Sequence, residues 1–378
     1  MKKVIHLIPD EKFTDFVIDS FNKVNNIKNY FFCFVYNTES RYTRSLALEA
    51  ISLADIEKGG RLRTIFEEAD IIMVHILSLN HSKAVLLFPS KKIVWFCWGG
   101  EIYNHHPKLV YNNYKYLTRK IRTKLNPFFF LKLRAKSFLS TFGIRKDLFF
   151  YQNKAVRFID IICPVILEDY NIIISNYPVS KGVVCGKFIY GNMATLISRS
   201  YKNTGKSDRV LIGNSATLTN NHLDVFELMS RMDKSDLPQQ IIVPLTYGDD
   251  DYKKIVIDHG NRIFGESFMP LDQFMDIDDY LKLISSCRYF ILPVCRQQGM
   301  GNVYAMLYYG ATIYVYKDSP IYRFLRRENF SFRTIEDLCI EKVFKELNET
   351  QILRNREKIE LLLDETKTEG YIKSLIDL

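Results

Sequence analysis

Two α/β halves, each built on a parallel sheet covered by helices, are what the sequence predicts, and three observations carry the prediction. Short apolar runs of strand length alternate with segments of helical period along nearly the whole chain. A polar stretch, Gly191 to Asp208, rich in Ser, Asn, Lys and Gly, divides it. A second series of strand, glycine turn and helix starts directly after that stretch.

In the first half, 1–190, Val4–Ile8 is a short apolar strand and Phe13–Val24 a helix with Phe13, Phe16, Val17 and Phe21 near one face. Tyr30–Tyr36 is a second strand, Leu62–Ala69 a helix, Ile71–Ile76 a strand and Leu79–Phe88 a helix. Lys92–Cys97 is a strand that runs into the turn Trp98, Gly99, Gly100, Glu101. Arg157–Cys163 is a further strand, a helix follows Pro164, and Gly186–Tyr190 closes the half. Connections this short imply a parallel sheet, in which ligands bind at the carboxyl ends of the strands. His6, Asp10, His75 and the Trp98 turn all lie at or near such ends.

The second half, 209–378 after the linker 191–208, begins with strand Arg209–Ile212, the turn Gly213, Asn214, Ser215, and a helix entered through Asn220, Asn221 and His222. Gln240–Leu245 is a strand, Asp251–His259 a helix, Arg262–Phe264 a short strand and Asp279–Cys287 a helix. The stretch YFILPVCRQQGMGNVYAMLYYG, Tyr289 to Gly310, then couples a strand to a glycine-containing turn and a helix that Asn302 can cap and Gly310 can end. Such a turn aims unpaired N–H groups and the positive end of a helix dipole at an anion. Arg296 adds positive charge, and Gln297 and Gln298 add amides suited to sugar hydroxyls. Strand Thr312–Tyr316 and helices complete the chain, the last of them able to pack back on the first half.

Length and composition set bounds. The 378 residues suffice for two domains with their own cores, and 47% apolar with 25% charged content is that of a soluble globular protein. No apolar run approaches the roughly 18 to 20 residues that span a bilayer. Lys2 and Lys3 resemble the start of a signal peptide, but Pro9, Asp10 and Glu11 cut the apolar segment short. Seven scattered cysteines without a Cys-x-x-Cys pair point to reduced thiols and a cytoplasmic setting.

The net charge of +9 is local. Between Ile102 and Lys146 there are eleven Lys or Arg and no Asp or Glu, so the rest of the chain carries 9 minus 11, or −2. Within 107–146 this charge interleaves with Tyr111, Tyr114, Tyr116, Phe128, Phe129, Phe130, Phe138 and Phe142. A solvated helical face, a nucleic-acid patch and a surface lying on anionic lipid all fit that pattern. The aromatics favour lipid, and no nucleic-acid module accompanies the stretch.

Two α/β halves with helix N-termini at the strand ends of the second place a ligand in a cleft between them, and a nucleotide diphosphate suits it. The chain has neither a GxxxxGK[ST] loop nor a GxGxxG after its first strand, which removes support for nucleotide triphosphate hydrolysis and hydride transfer. The acidic clusters Asp249–Asp251 and Asp276–Asp279 fall in first turns of helices, where carboxylates stabilise the dipole without an ion. Neither a metal nor another cofactor is expected.

Val210–His222 (VLIGNSATLTNNH), Ile242–Tyr247 (IVPLTY), Asp279–Leu281 and above all Arg296–Gly301 (RQQGMG) resemble glycosyltransferase family 56. Its enterobacterial members move 4-acetamido-4,6-dideoxygalactose from a TDP carrier to a polyprenyl-diphosphate disaccharide. Ile5–Leu7, His75 and Trp95–Tyr103 (WFCWGGEIY) match more loosely, with Glu101 where the family has aspartate. The resemblance implies the GT-B architecture, two Rossmann-like domains facing a central cleft, and inversion at the anomeric carbon. It implies donor contacts from Gly213, Asn214, Ser215, Asn221, His222, Pro244, Tyr247, Arg296, Gln297, Gln298, Gly299, Gly301 and Asn302, and acceptor contacts from His6, His75, Trp98 and Gly99. Arg296 and the helix N-termini after Gly213 and Gly301 are expected to stabilise the departing diphosphate, and Glu101 to act as base, with His75 and Asp10 in reserve; Glu101 also reads as an exposed turn carboxylate, and a lone histidine in an apolar strand, as at His75, more often as a hydrogen-bonded core residue. The expected partners are a TDP-sugar, a polyprenyl-diphosphate-linked acceptor and the cytoplasmic face of the bacterial inner membrane. The alternatives are the same fold using a UDP-sugar for capsule or O-antigen assembly, or a noncatalytic sugar-nucleotide or nucleic-acid binding protein.

Overall fold

The computed structural model describes residues 1–34, 43–202 and 204–378. Val35 and Tyr36, the end of the expected second strand, lie outside the described residues. The chain forms two compact units, Met1–Leu109 with Leu131–Gly191 and Glu365–Leu378, and Val110–Phe130 with Asn192–Asp364.

The first unit is a seven-stranded sheet of β1 (Lys2–Leu7), β2 (Ile27–Phe34), β3 (Leu48–Ile51), β4 (Ile71–His75), β5 (Lys92–Cys97), β6 (Ile161–Pro164) and β7 (Val184–Cys185), in the order β3-β2-β1-β4-β5-β6-β7. Every pairing is parallel. The central strands are apolar at almost every position because both faces are covered. Alternate residues feed separate cores: Ile5, Leu7, Ile72, Val74, Trp95 and Cys97 on one face, Val4, Ile8, Ile71, Met73, Val94 and Phe96 on the other.

The second unit repeats the plan with six strands, β8 (Ser207–Ile212), β9 (Gln240–Pro244), β10 (Phe268–Leu271), β11 (Cys287–Leu292), β12 (Thr312–Val315) and β13 (Arg333–Thr334), in the order β10-β9-β8-β11-β12-β13, again parallel throughout. In both sheets the strand order reverses beside the first strand, between β1 and β4 and between β8 and β11. Two Rossmann-like units result.

Two segments belong to units distant from them in sequence, for local reasons. Asn221 bonds the Asn113 carbonyl and the Lys115 N–H, and Asp224 accepts from Leu117 N and Thr118 N, so Val110–Phe130 packs with the second unit. The C-terminal helix Thr366–Asp377 buries Ile372, Leu375 and Ile376 in the first unit's core, and Lys2 Nζ donates to the Ile376 carbonyl at 2.9 Å.

Several elements correct the sequence reading. Arg262–Phe264 is the last turn of helix Asp250–Phe264, not a strand; the strand follows Gly265, whose φ of +57° stops the helix. The helix expected over Asp279–Cys287 runs Ile277–Ser285, capped by Asp276, so Cys287 already belongs to β11. β3 was not foreseen; its four residues, LEAI, are too few to show a period. β7, like β3, was not foreseen, its two residues ending before Gly186.

Gly186 sits where a Cβ would come within 2.6 Å of both Cys163 Sγ and Leu375 Cδ2. Gly186→Ala therefore overpacks the seam that holds the C-terminal helix, and the expected loss is about 1 to 3 kcal/mol. It is measured as a lower urea midpoint at unchanged m-value.

Candidate functional site

The reversal of strand order between β8 and β11 sends the two following loops to opposite sides and opens a crevice at the carboxyl edge. The loop after β8 starts at Gly213, whose φ of +71° suits glycine, and a Cβ there would lie 2.6 Å from His222 Nε2 and 2.9 Å from Asn220 Oδ1. The loop after β11 ends at Gly299, φ +70°, the N-cap of helix Met300–Tyr309. That helix starts before the expected cap: Asn302 lies in its first turn and donates from Nδ2 to Tyr280 Oη at 2.8 Å. Gly310, φ +85°, ends it as the sequence suggested.

Gln298 ties the two loops together. Its Nε2 donates to Asn214 Oδ1 (2.9 Å) and Thr217 Oγ1 (3.0 Å), while its Oε1 accepts from Thr219 Oγ1 (2.6 Å) and Arg296 Nε (2.8 Å). Asn220 closes the β8 loop on itself, donating to the Ser215 carbonyl and Oγ and accepting from Asn214 N. Asn221, φ +46°, donates to the carbonyls of Asn113, Thr219 and Pro293. Asn221, Ser215 and Pro244, expected at the donor, are thus buried framework. The side chains of Asn221 and Ser215 are consumed in hydrogen bonds that build the crevice. No long helix starts directly after Gly213 either: a 3-10 turn, Leu218–Asn220, intervenes before helix His222–Met229.

Other groups at this edge are left for a ligand. Gln297 is 7% exposed, and its Oε1 has no partner among the described residues. His222 is fully buried with neither ring nitrogen partnered, and burial lowers its pKa to about 3, so the ring is neutral. A Cβ on Gly301 would meet nothing, so the first turn of its helix is open to close approach. Arg296 is half-buried beside them.

Next along the edge, Leu245 N donates to the Leu271 carbonyl, joining the loops after β9 and β10. Tyr247 stands out from the first of these, 60% exposed, with its hydroxyl accepting from Asn214 Nδ2. A cavity of about 390 Å³ follows β10, lined by Leu271, Asp272, Phe274 and Asp276 among others. Asp249 and Asp276 serve as N-caps, accepting from Tyr252 N and Asp278 N.

In the first unit the reversal point lies between β1 and β4. Asp10, just past β1, is half-buried and accepts from Thr43 N and Oγ1 at 2.8 and 2.7 Å. His6 and His75 are not at the surface: both are fully buried on one sheet face, 3.2 Å from each other. Their positions in β1 and β4 match the parity of Val4 and Met73, which point into the core. Ile76, directly after His75, has φ +80°, a conformation that costs a β-branched residue about 1 to 3 kcal/mol.

Glu101 is likewise not an exposed turn carboxylate, being 3% exposed. Its Oε1 accepts from Trp98 N (2.9 Å) and Trp95 Nε1 (3.3 Å), and its Oε2 has no partner among the described residues. The carboxylate holds the turn around Gly99, φ +98°. Trp98 is half-exposed above it, edge-on to Tyr190 at 5.3 Å. Tyr190 went unrecognised in the sequence: it lies 115 positions from His75, to which it bonds, and no local pattern marks it.

The basic stretch forms helices Pro107–Asn112, Tyr116–Leu125 and Phe129–Thr141. Within 131–146, Leu131, Phe138, Phe142 and Ile144 are exposed together with Lys132, Arg134, Lys136 and Lys146. No helix among the described residues is long and apolar enough to cross a membrane.

Residues 189–375 match the family model described as 4-alpha-L-fucosyltransferase, glycosyl transferase group 56. Sucrose-phosphate synthase from Thermosynechococcus elongatus superposes with TM-score 0.63 at 10% identity, over 100% of this chain and 98% of that one. The Anabaena protein HepE, solved in complex with UDP and glucose, gives 0.61 at 12% identity, over 100% of both chains. The E. coli trehalose-6-phosphate protein bound with UDP-2-fluoro glucose gives 0.58 at 10%, over 100% and 98%. The fold is that of the GT-B glycosyltransferases.

Burial raises the Glu101 pKa from 4.5, the hydrogen bonds from Trp98 and Trp95 opposing it. The folded state then holds a proton that the unfolded chain releases, so this group's contribution to stability falls as pH rises from 4.5 through the raised value. Glu101→Gln removes that loss. The melting temperature of the variant relative to wild type is expected to be more favourable at pH 8 than at pH 5.

Proposed function

We propose that this glycosyltransferase, which carries the family 56 match over residues 189–375, moves an acetamido-deoxy sugar with inversion from a TDP-sugar to a polyprenyl-diphosphate-linked oligosaccharide in bacterial surface polysaccharide synthesis. The observation that carries the reading is the edge between β8 and β11. There Arg296, the buried Gln297 amide and the open first turn at Gly301 converge on a crevice whose loops are locked by Gln298. A helix dipole, backbone N–H groups and a guanidinium stabilise the negative charge that builds on a leaving diphosphate. The nucleoside reaches along the same edge toward Tyr247 and the cavity after β10, whose size suits a small-molecule ligand.

The acceptor saccharide lies on the carboxyl edge of the first unit's sheet. Inversion is a single displacement in which the acceptor hydroxyl loses its proton as its oxygen attacks the anomeric carbon and the nucleotide diphosphate departs. Asp10 is the better-placed base, half-exposed at the end of β1, whereas Glu101 is turned inward and acts by holding the Trp98–Gly99 turn. The preference for TDP rests on the resemblance of Val210–His222 and Arg296–Gly301 to family 56. The exposed aromatic and basic face of 131–146 holds the enzyme at the anionic cytoplasmic leaflet, where a lipid-linked acceptor resides.

The test of the reading is a thermal-shift panel with TDP, UDP, GDP and CMP. At 100 times its dissociation constant a ligand stabilises by about 2.7 kcal/mol, and TDP is expected to give the largest shift. Arg296→Ala should weaken TDP binding by about 1.5 to 3 kcal/mol, the range for a hydrogen bond to a charged group. Asp10→Asn should leave the TDP shift intact while turnover falls by about 10² to 10⁴. A panel in which no nucleoside diphosphate shifts the transition removes the proposal.

Membrane association has its own readout. Replacing Lys132, Arg134 and Lys136 by Gln is expected to weaken binding to phosphatidylserine-containing vesicles by about 1 kcal/mol per charge, with wild-type binding falling as salt rises. Equal binding by wild type and triple variant rules the surface out.

A further inference from the structure

The two histidines buried under the first unit's reversal point belong to one hydrogen-bonded chain whose proton positions can be assigned end to end. Asn29 Nδ2 donates to the Phe21 carbonyl at 3.1 Å and to Asn22 Oδ1 at 3.2 Å. Since a carbonyl can only accept, the amide orientation is fixed, and Asn29 Oδ1 is the atom that faces His6 Nε2 at 3.1 Å. His6 Nε2 therefore carries a hydrogen. Desolvation lowers the His6 pKa to about 3, so the ring is neutral and its Nδ1 is a bare lone pair.

The assignment propagates outward. His75 Nε2, 3.2 Å from His6 Nδ1, must donate to it. Burial also holds His75 neutral, its pKa well below 6.5, which leaves His75 Nδ1 as an acceptor. Tyr190 Oη lies 2.6 Å from that nitrogen and so gives it its only proton. Packing fixes each ring: His6 stacks on Phe31 at 4.5 Å, His75 on Phe96 at 4.4 Å and 2°, and Tyr190 stands edge-on to Phe188 and Trp98.

The outer end of the chain is thus a phenol oxygen with its proton turned inward and only lone pairs left to offer. A proton wire is excluded by the same assignment. A proton passed from Tyr190 would come to rest as an imidazolium at His6, where burial opposes charge and the next atom, an amide oxygen, passes nothing on.

We infer that Tyr190 is a fixed hydrogen-bond acceptor for a hydroxyl of the acceptor saccharide, with His75 and His6 as positioning residues behind it. The half-exposed indole of Trp98 stands edge-on to the Tyr190 ring at 5.3 Å, giving a sugar ring an apolar face while Tyr190 reads one of its hydroxyls. A rigid acceptor of this kind discriminates strongly, because a substrate lacking the hydroxyl leaves the oxygen facing nothing that can donate. The inference rests on the acceptor lying against the first unit, as proposed above.

The test uses the full chain, TDP as a probe of the donor site, and lipid-linked saccharides extracted from bacterial membranes as acceptor. Tyr190→Phe should raise the acceptor KM about tenfold or more with a smaller change in kcat, and should keep the TDP-induced thermal shift. His75→Asn, whose amide oxygen can replace Nδ1, should retain most of the acceptor affinity, whereas His75→Phe, which frees the Tyr190 proton to turn outward, should lose it. An acceptor KM within twofold of wild type in Tyr190→Phe, or equal losses in the two His75 variants, overturns the inference. In either case a persisting TDP shift leaves the donor-site reading standing, while a wild type that no nucleoside diphosphate shifts brings down that reading itself.

Discussion

Everything at the edge of the second sheet depends on the Gln298 side chain being used up. One amide bonds Asn214 and Thr217 from the β8 loop through its nitrogen, and Thr219 and Arg296 through its oxygen. Two loops that leave neighbouring strands in opposite directions would otherwise be free to spread. The amide fixes their separation and holds the Arg296 guanidinium through Nε, which directs the rest of the fork. A crevice intended for a highly charged leaving group gains most from donors that are already in place, since reorganising them during reaction would cost what their field contributes. The adjacent Gln297 shows the contrast: more deeply buried, it has an oxygen with no partner among the described residues. Of two neighbouring glutamines, one builds the site and the other faces it.

The sequence carried the architecture because a parallel sheet covered on both faces leaves a plain mark. β4, β5, β8 and β11 are short, apolar and bounded by turn residues, and so are visible without any partner. Edge elements are less so: β3 and β7 have too few residues to show a period, and Arg262–Phe264 has strand-like residues that the preceding helix captures. At the site, glycine positions were legible because φ values of +71° at Gly213 and +70° at Gly299 demand that residue. The division of labour among polar residues was not. Asn220, Asn221, Gln297 and Gln298 look alike in a string, and only the loop crossing decides which is framework. His6 misled for a related reason, since a strand end and a buried strand position differ by one step of a period of two, whereas His75 is the hydrogen-bonded core histidine that an apolar strand favours.

The two reversal points differ in their electrostatics in a way that matches the proposed chemistry. Around β8 and β11 a guanidinium and a helix N-terminus collect positive potential, the condition for holding an anion. Around β1 and β4 the ionisable groups are pushed toward neutrality: His6 and His75 are deprotonated by burial and Glu101 has its carboxyl pKa raised. Asp10, the proposed base, aside, these buried groups bring no charge to a saccharide, so the selectivity they give has to come from the direction of hydrogen bonds. That is what a chain of fixed tautomers supplies. Because each proton in it is placed by the one behind, starting from an amide held by the Phe21 carbonyl, the polarity of the outermost oxygen is decided by a backbone group three residues behind it, and a substitution that removes a donor or acceptor along the way changes what Tyr190 can accept.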